Sequence, residues 1–236
     1  MKKERDYDLT DKLLVSYRDA ALDNSRQLID EAQLLFSKEH YARTYFLALA
    51  SIEETGKAHI LFDAMGRNLN DPGLCKKIKK KIEMHSDKIT SAFVSWLLKS
   101  ENKEEAVKEY MDISVHLKRG REKSMYTDVK SNTLGLSKPS EVVRQIAAKD
   151  CMHIAVNCLH HTETYIKRNE PRKTSKFEDK LYCINTDKIT KMWNTEDFWK
   201  YYIAQMRQGN SDYPMASVKY HDEYFSKSKT FTNKSS

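Results

Sequence analysis

The sequence predicts an all-α fold, and three observations carry that prediction. Glycine and proline are scarce, six and four in 236 residues, whereas an all-β sandwich needs turn residues about every 8–12 positions. Long stretches repeat apolar residues at three- and four-residue steps, the period of a helix buried along one stripe. No G-x-G-x-x-G or G-x-x-x-x-G-K loop occurs, which removes the dinucleotide-binding and P-loop folds. With 39% hydrophobic and 32% charged residues, the chain is polar, yet it has enough Leu, Ile, Tyr and Phe to build a core.

The first helix runs from about Thr10, with Leu13, Leu14, Tyr17, Ala21, Leu28, Ala32 and Leu35 on its apolar stripe. Ser37 reads as the N-cap of a second helix over about 38–65, carrying Tyr41, Tyr45, Leu49, Ile52, His59 and Ile60. Two helices joined by so short a break form an antiparallel hairpin. Pro72 suits the first turn of a third helix reaching Lys99, basic at first (Lys76, Lys77, Lys79, Lys80, Lys81) and apolar later (Ile89, Phe93, Trp96, Leu97). A fourth covers about 103–123, and residues 126–138 read as a loop. Pro139 and Glu141 open a fifth helix to about Lys167, with Val142, Ile146, His153, Val156 and Leu159 as inward positions. After Pro171 the chain turns rich in Lys, Ser, Thr and Asn. One short amphipathic helix is predicted there, over about 195–208 (Phe198, Trp199, Tyr202, Ile203, Met206), and residues 226–236 read as a frayed tail. The predicted organisation is a bundle of about five helices at 8–168 and a C-terminal appendage at 169–236, its Trp193, Phe198, Trp199 and Tyr202 suited to an interface or a lid.

Lys and Arg exceed Asp and Glu by 41 to 34, a net charge of +7, and the pI is about 9.0. That is a mild tilt toward an anionic partner such as RNA. The four cysteines (Cys75, Cys151, Cys158, Cys183) form no C-x-x-C pair. No apolar leader opens the sequence and no run approaches the ~20 residues of a membrane span, so a cytoplasmic protein with reduced thiols is expected.

Three polar groups stand out. In Ile52-Glu53-Glu54-Thr55-Gly56-Lys57-Ala58, Glu53 and Lys57 have the i,i+4 spacing of a helix ion pair. Such a pair is ordinarily a surface feature worth about 0.3–0.5 kcal/mol. Gly56, however, costs about 1 kcal/mol inside a helix and implies that another backbone comes close, placing the charges in an interface or cleft. In Met84-His85-Ser86-Asp87-Lys88, His85 and Lys88 share one side of a helix; a lone histidine is more often structural, but one near a lysine tends to stay neutral and can act as a base. In the run from Arg119 to Asp128, Arg121 offers a planar phosphate-binding fork, Tyr126 a hydroxyl and Asp128 a carboxylate; the alternative is a helix C-terminus capped by its arginines. Asp150, His153, Asn157 and His160 line one stripe, but no Glu-x-x-His pair or H-E-x-x-H accompanies them, and neither metal nor cofactor is expected.

The run from Ser37 to Ala58, with its Glu-Glu-Thr-Gly-Lys core, resembles the signature hairpin of AbiV-type abortive infection proteins, members of the wider HEPN group of helical domains. His85-x-x-Lys88 and Arg121-Glu-Lys-Ser-Met-Tyr-Thr-Asp128 resemble that family's later blocks, in the same order. The resemblance covers about residues 10–165. It implies a phage-defence protein with a HEPN-like bundle that dimerises, and a toxin acting on RNA or translation. In its sharpest form it implies a metal-independent endoribonuclease whose site combines an Arg, four to six intervening residues and then a His. Here Tyr126 stands where that histidine is expected. The resemblance therefore implies a catalytic set of Arg121, Tyr126, His85, Glu53, Lys57 and Asp128, with His85 supplying the imidazole. Lys88, Arg119, Lys77 and Lys80 are left to bind RNA. The competing expectation is a non-enzymatic bundle that engages a phage protein, itself a possible activator, or the translation machinery.

Overall fold

The second helix determines how everything else packs. In the computed structural model, which describes residues 7–129 and 135–232, α1 (Asp11–Ser37) and α2 (Tyr41–Ala64) form the antiparallel hairpin, and α2 is buried on nearly all sides. A helix apolar all round must lie inside a bundle. Four further helices surround it in the same compact unit: α4 (His85–Ala92), α5 (Val94–Lys99), α6 (Lys103–Met125) and α8 (Gln145–Arg168). Their shared core includes Leu49, Ile52, Ile89, Phe93, Leu117, Cys151 and Cys158. Between α1 and α2 the buried Ser25 hydroxyl meets those of Ser51 (2.7 Å) and Thr55 (2.8 Å), so these polar positions are satisfied rather than orphaned.

The chain forms two compact units, residues 1–65 with 78–172, and residues 66–77 with 173–236. The helix α3 (Pro72–Glu83) belongs to both, its first turns to the second unit and its later ones to the first. The first unit is an all-α bundle, from which residues 66–77, expected inside it, are absent. The second holds α9 (Lys176–Cys183), α10 (Thr186–Trp193), α11 (Glu196–Arg207), α12 (Tyr213–Glu223) and a 3-10 turn at Phe225–Lys227. Phe198, Tyr201, Met192 and Tyr220 pack at its core.

Several details differ from the sequence reading. Ser37 ends α1 instead of capping α2, and its hydroxyl donates to the Leu34 carbonyl. The turn closes in a Schellman arrangement: Glu39 N–H donates to Phe36 O and His40 N–H to Leu35 O, with Glu39 left-handed (φ 61°). The predicted third helix is three, broken at Met84, which is extended, and at Phe93. Neither break carries a proline or glycine. Both lie beside buried residues, Ile82 before the first and Ile89, Ala92 and Phe93 at the second. The region 126–138 contains a minimal antiparallel pair, β1 (Asp128–Val129) and β2 (Leu136–Ser137), and the fifth helix is split into α7 (Pro139–Val142) and α8. Of its five predicted inward positions only Leu159 is buried. The packed face uses small residues (Ala148, Cys151, Ala155, Cys158), since crowded α2 leaves no room for larger ones.

After Pro171 four helices appear where one was predicted. Their N-caps were present as signals: a capping box at Ser175 and Glu178, then Asn185, Thr195 and Asp212, each accepting from a helix N–H. The expected fraying of 226–236 does not hold for Phe231 and Thr232. Their N–H groups donate to Asp197, which also accepts from the hydroxyls of Thr232 and Tyr220; residues 233–236 lie outside the described residues. Burial alone would raise the Asp197 carboxyl, but these bonds hold it below its ordinary value.

Gly56 tests the packing directly. A Cβ built there would lie 1.7 Å from the Lys88 carbonyl oxygen and 2.9 Å from the Ala92 nitrogen, both backbone of α4. At Gly120 the obstacle is a side chain, the Tyr45 hydroxyl at 2.2 Å. Gly56→Ala should therefore destabilise by about 3 kcal/mol despite the better helix propensity of alanine. Gly120→Ala should cost less, because a ring moves more readily than a helix. Urea denaturation of the two variants checks the order.

Candidate functional site

Glu53 lies on α2 where the helix is enclosed, and it is 7% exposed. A carboxylate buried there must find cations or give up its charge. Gly56, one turn along the same face, admits the α4 backbone, which carries His85 and Lys88 one turn apart on the side facing Glu53. From another direction α6 delivers Arg121. The result is one carboxylate with three partners. His85 Nδ1 donates to Oε2 at 2.7 Å, Lys88 Nζ to the same oxygen at 2.8 Å, and Arg121 Nε to Oε1 at 3.2 Å.

The partners differ in exposure, which sorts their chemistry. Lys88 is as deep as Glu53, with 9% of each side chain exposed, and serves as its fixed counter-charge. Arg121 is 25% exposed and engages through Nε alone, leaving its two terminal nitrogens free of hydrogen bonds among the described residues. His85 is 51% exposed. Its Nδ1 faces a carboxylate oxygen and so must donate to it, which makes Nε2 the nitrogen that carries the lone pair in the neutral ring. Burial by itself would raise the Glu53 carboxyl. The hydrogen bonds and charges of Lys88 and His85 overcome that and hold it below its usual 4.5. One carboxylate against Lys88 and Arg121 leaves a surplus positive charge, the electrostatics of an anion site. An outward imidazole nitrogen beside an outward guanidinium can take a proton from a hydroxyl while stabilising charge on a phosphate.

The remaining predicted residues are not part of this cluster. Lys57 pairs with Glu54, not Glu53, and lies 5.6 Å over the Tyr17 ring; Glu53 is turned toward α4 and α6, while Glu54, one residue round the helix, is the acid left on the Lys57 side. Tyr126 is 60% exposed at the C-cap of α6, and the exposed Asp128 accepts from the Val129 N–H. Five residues along a helix is a rotation of roughly 140°, and the helix in any case ends at Met125, so Tyr126 does not return to the face of Arg121. Arg119 and Lys80 are exposed, and Lys77 is half-buried in the second unit. Lys88, expected to bind RNA, is buried on Glu53. Among the described residues no group of three or more His, Cys, Asp and Glu could hold a metal ion, and the exposed stripe of Asp150, His153, Asn157 and His160 forms none. The four cysteines are free thiols, and among the described residues no helix is long and apolar enough to cross a membrane. The sequence reading passed over Gly120 and Tyr45: a glycine within a helix, beside Arg121, was a signal of the same kind as Gly56.

A helical hairpin enclosed by further helices makes this an all-α bundle, with Glu53, His85, Lys88 and Arg121 meeting between three of its helices. The family model described as AbiV (HEPN_AbiV) matches residues 13–160, well over half of the chain, and the protein belongs to that family of abortive-infection, or phage-defence, proteins. The matched span includes Glu53, His85, Lys88 and Arg121; residues 173–232 fall outside it. No curated protein and no solved structure matches the chain.

Removing the hub should expose its role. Glu53→Gln leaves Lys88 buried without a counter-charge and should cost about 3–5 kcal/mol. Adding Lys88→Met should restore most of that loss, as chemical denaturation would measure. Because the Glu53 carboxyl titrates lower folded than unfolded, its contribution is complete above the unfolded value near 4.5. It fades as pH falls through the lower folded value. The Glu53→Gln variant should lack that component of acid destabilisation.

Proposed function

We propose that the protein is an RNA-directed toxin of abortive infection, a metal-independent endoribonuclease whose centre is the cluster on Glu53. The observation that carries the reading is the convergence of His85 and Arg121 on one buried carboxylate, with His85 Nε2 and the Arg121 terminal nitrogens making no hydrogen bond among the described residues. His85 Nε2 accepts the proton of a ribose 2′-hydroxyl, and the 2′-oxygen attacks the adjacent phosphorus. Arg121 stabilises the charge on the non-bridging oxygens, and Glu53 stabilises the imidazolium as it forms. The bond to the 5′-oxygen breaks, that oxygen takes a proton from water in the minimal case, and a 2′,3′-cyclic phosphate and a 5′-hydroxyl remain. Glu53 and Lys88 are positioning residues here, while Arg119 and Lys80 are exposed cations available to RNA. The reading includes a cytoplasmic homodimer released by a phage-encoded activator.

A second reading has its own observation. Tyr126, at the position where the Arg-then-His pattern expects a histidine, is exposed and away from the cluster. That favours a binding module that engages a phage protein or the translation machinery, with the cluster bracing the fold.

The two separate on cellular RNA incubated in EDTA with purified protein, alone and with extract of phage-infected cells. The ribonuclease reading predicts cleavage that survives chelation, leaves cyclic-phosphate ends, and falls at least 100-fold in His85→Ala and in Arg121→Ala. Intact RNA in both conditions, or cleavage retained in both folded variants, would contradict it and leave the binding module.

A further inference from the structure

The second unit carries a feature that neither the cluster nor the family match accounts for. On α11, Trp199, Ile203 and Met206 follow at i, i+4 and i+7, one face of the helix, and each is more than 40% exposed. The indole of Trp199 is fixed despite its exposure. Its Nε1–H donates to the Trp193 carbonyl at 2.7 Å. Its ring lies at 29° to that of Tyr213, with centroids 6.2 Å apart. Tyr202 is held beside it in the same way, its hydroxyl donating to the Ser211 carbonyl at 3.1 Å and its ring parallel to Phe198. These are aromatic faces set in place before any ligand arrives, so little conformational entropy is lost on binding.

Charge selects the occupant. Residues 66–77 and 173–236 hold 14 Lys and Arg against nine Asp and Glu, so this unit, under a third of the chain, accounts for five of the seven net positive charges. Arg207 continues the stripe at i+4 from Ile203, is exposed, and makes no ion pair among the described residues. Lys200 adjoins Trp199, and its exposed partner Glu196 is a solvated i,i+4 pair of little strength. A rigid aromatic face flanked by cations matches an unpaired nucleic acid strand, whose bases stack on aromatic rings without regard to sequence while its phosphates meet the cations. An apolar peptide would match the stripe but gain nothing from the excess charge.

We infer that the α11 face is a sequence-tolerant docking platform for single-stranded RNA, with bases stacking on Trp199 and the backbone following Lys200 and Arg207. This rests on the proposal above only in taking RNA as the target; it assigns RNA capture to a surface separate from the cluster on Glu53.

The test uses the full-length protein and a fluorescein-labelled 12-nucleotide oligouridylate bearing 2′-O-methyl groups, which attack by a 2′-hydroxyl cannot cleave. Anisotropy titrations should show binding that weakens from 50 to 200 mM salt. Affinity should fall about 5- to 100-fold in Trp199→Ala and less than about threefold in Trp199→Phe, which keeps a ring to stack on. Arg207→Ala should weaken binding and flatten the salt dependence. Thermal melts show whether the variants are folded, and Arg207→Ala, on an exposed side chain, serves if Trp199→Ala is not. Absence of binding, or equal affinity in all folded variants, would overturn the inference. So would a Trp199→Ala variant that loses only self-association in sedimentation, which would assign the face to a second copy. Binding through Trp199 without any RNA cleavage would keep this inference and sink the ribonuclease; cleavage without dependence on Trp199 would do the reverse.

Discussion

A carboxylate on the buried face of a helix enclosed on nearly all sides is the constraint on which the first unit's packing depends. Glu53 cannot stay charged in the interior of the bundle without partners, and the chain supplies three cation-bearing or proton-bearing groups from two other helices. Each partner ties its helix to α2. Lys88 and His85 fix α4, and Arg121 fixes the C-terminal half of α6. The same interactions that make burial tolerable also fix the His85 imidazole and the Arg121 guanidinium on one carboxylate. That coupling is why single removals are expected to be costly while paired removals are mild.

Convergence also requires close approach, and two glycines permit it. At Gly56 the α4 backbone occupies the space a side chain would need, and at Gly120 the Tyr45 hydroxyl does. Both positions lie within three residues of a member of the cluster. Each glycine sacrifices helix propensity and in return lets two elements meet at a distance that brings Glu53 within hydrogen-bond reach of its partners. Local helix preference is overridden where the cluster is built.

Much of this was legible in the sequence. The scarcity of glycine and proline, the helical period and the Glu-Glu-Thr-Gly-Lys run marked the all-α class and the hairpin. Gly56 signals a close backbone approach, and His85 and Arg121, 36 positions apart in the chain, both reach the Glu53 carboxylate. What was hidden depended on tertiary packing. The breaks at Met84 and Phe93 carry no local breaker. The face of α8 that packs is built of alanine and cysteine, so reading inwardness from size selected Ile146 and Val156, which are exposed. The Glu53–Lys57 spacing was favourable, yet burial turned Glu53 elsewhere and left Lys57 to Glu54. Four N-caps after Pro171 were readable signals that the polar composition of that region obscured.

The cluster depends on Glu53 organising His85 in solution. Nitrogen-15 NMR of the imidazole, recorded above its titration, reads which ring nitrogen holds the proton. A proton on Nδ1 in the native protein, moving to Nε2 in a folded Glu53→Ala variant, is the predicted result. An Nε2-protonated His85 in the native protein, indifferent to Glu53, would contradict the claim that one buried carboxylate builds this site.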